Sequence, residues 1–119
     1  MQNGFLFENL IVYQRGLAFS VKMCKIASDF PIKFSRIRDQ IIGAATSIPL
    51  NIAEGSGRKS AKERINFYNI SRSSVFECVP LLEICRSLGL VGQDTFNDLR
   101  RETAELSKMI NGFISSLPR

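Results

Sequence analysis

Any enzymatic chemistry in this chain has to come from carboxylates, Lys, Tyr or Ser, because its 119 residues include no histidine. That absence removes the Ser-His-Asp and Cys-His nucleophile systems, His-ligated zinc, and the Glu-x-x-His di-iron sites of helical bundles. The three cysteines, Cys24, Cys78 and Cys85, form no Cys-x-x-Cys pair. Each is flanked by helix-forming apolar sequence, which points to buried, reduced thiols. Glu54 and Glu77 are the acids with the most informative neighbours, yet no nucleophile–base pair is apparent around either. The expectation is a protein that is not an enzyme, with no metal, no cofactor and no small-molecule substrate.

The most informative stretch of the chain runs from Gln40 to Arg58. On a helix Ser47, Asn51 and Glu54 fall at i, i+4 and i+7, a polar strip beside the apolar seam Ile41, Ala45, Ile48 and Ile52. Pro49 deletes a backbone donor and leaves the Ala45 carbonyl for a side chain such as Asn51, or for water. Glu54 lies at the unfavourable end of the helix dipole and calls for a partner, with Arg58 the nearest candidate. Together with Gly55 and, from the next helix, Glu77, these residues form either a ligand site or a structural network around a kink. Polar strips at kinks usually satisfy backbone groups, which favours the structural reading.

The elements that must carry these residues are helical. From Asn9 to Asp29 one apolar stripe runs through Leu10, Tyr13, Leu17, Val21 and Cys24, and a second through Val12, Phe19, Met23 and Ile26. Phe30-Pro31 ends this helix. Phe34 to about Glu54 forms the second, with a bend expected near Ala45 to Pro49 and a stop at Gly55-Ser56-Gly57. Ser60 and Glu63 make a capping box for the third, which runs to about Leu88 with a bend at Pro80. Asp94 is placed to cap the fourth, whose seam is Phe96, Leu99, Thr103, Leu106, Ile110, Phe113 and Leu117. Four helices with short connections predict one all-α domain over residues 1–119, an antiparallel up-down-up-down four-helix bundle. Leu10, Tyr13, Leu17, Val21 and Cys24 suffice for the core seam, so the stripe of Val12, Phe19, Met23 and Ile26 is expected at an oligomer interface.

The net charge is +5. Residues 15–38 hold Arg15, Lys22, Lys25, Lys33, Arg36 and Arg38 against Asp29 alone. Residues 58–72 hold Arg58, Lys59, Lys62, Arg64 and Arg72 against Glu63 alone. Residues 77–105 reverse the sign. An excess of cations on the first three helices favours a polyanion, and Arg58, Lys59, Lys62, Arg64, Lys22, Lys25 and Arg36 are the candidate nucleic-acid contacts. The alternative is a protein-interaction scaffold whose charge serves solubility. No window is long and apolar enough for a membrane span. The first residues lack the basic n-region and cleavage site of a signal peptide, so the expected location is cytoplasmic.

Phe7-Glu8-Asn9-Leu10, Tyr13-Gln14, Phe30-Pro31, Ser47-Ile48-Pro49, Asn51-Ile52-Ala53-Glu54-Gly55, Gly57-Arg58, Ser74 with Glu77, and Leu88-Gly89-Leu90 form a pattern. It resembles the four-helix-bundle proteins encoded in intervening sequences of bacterial 23S rRNA genes, the S23 ribosomal protein-like family. Gly43 departs from it, standing where the family commonly has Arg. The resemblance implies a homopentameric ring without enzymatic activity. It also implies a more distant likeness to the accessory proteins of diversity-generating retroelements, which bind nucleic acid. RNA or a ribonucleoprotein is therefore the expected partner.

Overall fold

The computed structural model describes residues 4–118 and gives four long helices: α1 (Ile11–Ser28), α2 (Ser35–Ser56), α3 (Ala61–Ser87) and α4 (Gln93–Ser116). Short 3-10 turns at Leu6–Asn9 and Ile32–Phe34 lead into α1 and α2. No strand occurs among the described residues. Each helix packs on the next in sequence, and α1 closes weakly on α4, so the chain is an up-down-up-down bundle of 44 × 27 × 22 Å.

The helix ends follow the local chemistry. The Ser60 hydroxyl accepts the Glu63 backbone N–H at 3.1 Å, as a Ser N-cap should. After α3, Gly89 takes φ +74°, and Leu90 N–H reaches the Cys85 carbonyl at 2.8 Å while Gly89 N–H reaches Arg86 at 3.0 Å. This is a Schellman ending, in which glycine adopts the left-handed conformation that a side chain would strain. The N-cap of α4 is Gly92, with no side-chain cap, and Asp94 lies within the first turn instead. There its charge still complements the helix dipole. Pro49 and Pro80 both sit inside continuous helices.

The interior is formed by Phe19, Met23, Ile48, Ile52, Val75, Leu82, Leu99, Leu106 and Ile110, all essentially inaccessible. The stripe of α1 expected at an interface turns inward instead, and of the stripe expected inside only Leu10 and Tyr13 pack against the core. Val12, Phe19 and Met23 are buried within the subunit and Ile26 packs against that core, whereas Leu17 and Val21 are 42% and 45% exposed. The reason is where α1 crosses α2. Gly16 lies at the crossing, where a Cβ would stand 3.1 Å from Ile48 Cγ2 and 4.0 Å from the Pro49 nitrogen. That contact turns the side of α1 carrying Gly16, Phe19 and Met23 inward. It leaves Leu17, Val21 and Cys24 on an outer groove with Pro49 and Leu50.

Candidate functional site

Of the polar strip of α2, Ser47 and Asn51 belong to a hydrogen-bond network that joins α2 to α3, and Glu54 stands apart from it. Asn51 Nδ2 donates to the Ser47 carbonyl and to Ser47 Oγ, both at 2.8 Å. Ser74 of α3 donates to Ser47 Oγ at 2.7 Å and also lies 3.0 Å from the Ile70 carbonyl. Fully buried Ser71 donates to the Ile48 carbonyl at 2.8 Å. Asn51 thus serves Ser47 rather than Ala45. The buried side of α3 is Tyr68, Ser71, Val75, Cys78, Leu82 and Cys85, at steps of three and four. Its small members let the helices approach closely. Gly55 marks the tightest point, since a Cβ there would meet Tyr68 Cε1 at 2.7 Å, the Arg64 carbonyl at 3.0 Å and Phe67 Cβ at 3.0 Å.

Burial sets the thiol chemistry. Cys78 is fully buried, and burial together with the neighbouring Glu77 charge pushes its pKa up to about 12. Cys85 is likewise raised by burial. Neither presents a thiolate nucleophile at neutral pH. Glu77 is exposed and lies outside the Ser47–Asn51–Ser74 network. Among the described residues no cluster of three or more Cys, Asp or Glu side chains could hold a metal ion. No described helix is long and apolar enough to cross a membrane.

The structure sorts the candidate cations into two ends of the bundle. Arg36 and Lys25 lie where α1 hands over to α2; Arg58, Lys59, Lys62 and Arg64 lie where α2 hands over to α3. Along α2 these ends are about 30 Å apart at 1.5 Å per residue. Lys22 belongs to neither. It pairs with Glu102 at 2.8 Å, and Arg15 pairs with Glu105 at 2.7 Å, so the acids of α4 neutralise the middle of α1.

At the α2–α3 end, two arginines are already engaged. Arg58 pairs with Glu54 at 2.7 Å, the partner that the helix dipole called for, and its guanidinium lies 4.7 Å above the Phe67 ring. Arg64 donates to the Arg58 and Lys59 carbonyls at 3.0 and 2.7 Å, fixing the connecting turn. Lys59 and Lys62 are exposed and make no ion pair among the described residues.

The sequence did not single out Ser71 or the Ser56–Tyr68 hydroxyl contact of 3.0 Å. The available signal was the spacing of Tyr68, Ser71, Val75 and Cys78, which runs at steps of three and four through two small polar residues.

Residues 8–112 match the family described as 23S rRNA-intervening sequence protein. The chain belongs to that family. Among solved structures it is similar to a protein of unknown function from the S23 ribosomal protein family of Bacteroides thetaiotaomicron VPI-5482. The two share 20% identity and a TM-score of 0.79, over 89% of this chain and 100% of the other. At that identity the likeness is one of fold. No curated protein matches the chain.

Proposed function

We propose that this family member is a self-associating, non-enzymatic bundle that binds RNA through the α2–α3 end. The observation that carries the reading is the placement of Lys59 and Lys62. They stand exposed and unpaired beside a turn that Arg64 holds rigid, while the middle of α1 is neutralised by α4. Unpaired cations on a fixed frame favour phosphate contacts, each of which releases counterions. The family's description sets it beside 23S rRNA, which makes RNA the first polyanion to test.

Two exposed apolar patches support self-association. One is the α1–α2 groove with Leu17, Val21 and Leu50; the other is the α3–α4 groove with Phe76, Val79 and Pro80. They are different surfaces on opposite sides of the bundle. Contact between unlike patches is head-to-tail, and such contact closes into a ring when the rotation permits. Five copies, the number that the family resemblance implies, would repeat the basic end around one axis and strengthen weak contacts by avidity.

Light scattering at micromolar concentration, with anisotropy of a labelled RNA across a salt series, tests both parts. The expected result is a mass that is a multiple of 13.4 kDa and an affinity falling steeply with salt. A monomer would overturn the assembly. The absence of RNA affinity at low salt would leave a protein-interaction scaffold.

A further inference from the structure

The N-terminal segment folds back over the end of α2 and encloses an open cleft of about 720 Å³. One wall is Phe5, Leu6 and Phe7; the other is Glu54, Gly57 and Arg58. The aromatic wall is held in shape. Phe7 is half-buried with its ring edge-on to Tyr13 at 4.9 Å, and Phe5 stacks on Phe7 at 5.9 Å and 19°. The Phe5 backbone N–H donates to Glu8 Oε1 at 2.7 Å, and Gln14 donates to the Glu8 carbonyl at 2.9 Å. Phe5 is nevertheless 71% exposed. An aromatic ring fixed by its neighbours and left in solvent has a face to offer.

The opposite wall supplies hydrogen bonding. Arg58 and the Phe67 ring beneath it orient the Glu54 carboxylate, which stays half-exposed at the cleft. Lys59 and Lys62 follow Arg58 along the chain. A stacking face, an oriented acceptor and unpaired cations at one end of the molecule are what single-stranded nucleic acid requires, and a duplex keeps its bases out of such a cleft.

We propose that this cleft seats an unstacked base of single-stranded RNA, with Phe5 as the stacking face and the Glu54 carboxylate accepting from the base's amino edge. The inference rests on the RNA reading above and adds the form of the ligand and its preference. A carboxylate favours an edge that presents an amino group, such as that of cytosine. It disfavours uracil, whose single N–H lies between two carbonyl oxygens. Lys59 and Lys62 would meet the flanking phosphates.

The test measures anisotropy of labelled oligo(C), oligo(U) and a blunt-ended, two-strand RNA duplex with the full chain. Wild type is expected to bind oligo(C) more tightly than oligo(U), and either more tightly than the duplex. Phe5→Ala should weaken oligo(C) binding about tenfold at an unchanged salt slope, since it removes stacking and no cation. Phe5→Tyr should restore the affinity, and Glu54→Gln should narrow the preference for cytosine. Circular dichroism confirms that each variant is folded. Salt-dependent binding unaltered by Phe5→Ala, or duplex bound as tightly as single strand, overturns the base-seating cleft while leaving the RNA reading in place. No binding by wild type to any of the three overturns the RNA reading itself.

Discussion

Gly55 has no room for a side chain, and the atoms in the way are mostly not ones that can swing aside. A Cβ would meet the Tyr68 ring, the Arg64 backbone carbonyl and Phe67 Cβ, all within 3.0 Å. Gly55→Ala should therefore destabilise the protein by about 1–3 kcal/mol or more, read as a lowered urea midpoint. Ser71→Ala should cost about 1 kcal/mol, because it removes the buried donor to the Ile48 carbonyl. Glu54→Ala should cost no more than about 0.5 kcal/mol, since both partners of its i,i+4 pair are widely exposed. Equal losses from Ser71→Ala and Glu54→Ala would refute this ranking. Cys78 adds a pH dependence whose sign follows from its raised pKa. The unfolded thiol ionises near 9.0, while the folded one keeps its proton to about 12. Its contribution is thus intact below pH 9 and is lost as pH rises from about 9 to 12, by up to about 1.4 kcal/mol per pH unit. Denaturation midpoints at pH 8, 9.5 and 10.5 should fall less steeply in Cys78→Ala than in wild type. At pH 8 a maleimide should label half-buried Cys24 in the folded protein and spare Cys78 and Cys85.

At the scale of the helices, periodicity made the four elements legible almost to their ends, and Ser60 and Gly89 mark boundaries by chemistry that a sequence displays. What periodicity did not reveal was which side of α1 faces in. Both stripes are apolar enough, and the choice is made by Gly16 against Ile48 and Pro49, a contact 32 residues away in the chain and therefore invisible to local spacing. The same limit hid Ser71, whose acceptor lies on another helix. The strip of Ser47, Asn51 and Glu54 was legible as a strip, and the Glu54–Arg58 pair as a pair. The contribution of Ser74 needed the α2–α3 packing. The helix orientation gives a paired prediction. Phe19→Glu buries a charge in the core and should unfold the subunit. Leu17→Glu lies on the outer groove, so it should preserve helical content by circular dichroism and reduce the mass seen by light scattering. If Phe19→Glu stays folded and Leu17→Glu does not, α1 is turned the other way.

Across the whole molecule, charge is divided in a way composition alone conceals. The net +5 includes Arg15 and Lys22, which are neutralised by Glu105 and Glu102. Among the candidate contacts, Lys25 and Arg36 sit at one end and Lys59 and Lys62 at the other, so the two pairs cannot share one short RNA contact within a subunit. The contact we propose lies at the α2–α3 end. The most direct test compares Lys59→Ala/Lys62→Ala with Lys25→Ala/Arg36→Ala, each binding the same labelled single-stranded RNA across a salt series. The first pair should weaken binding and make the slope of log K against log salt shallower by about 1.4, two contacts at roughly 0.7 each for a single strand. The second should leave the slope unchanged. A slope altered only by the second pair, or by neither, would contradict the account.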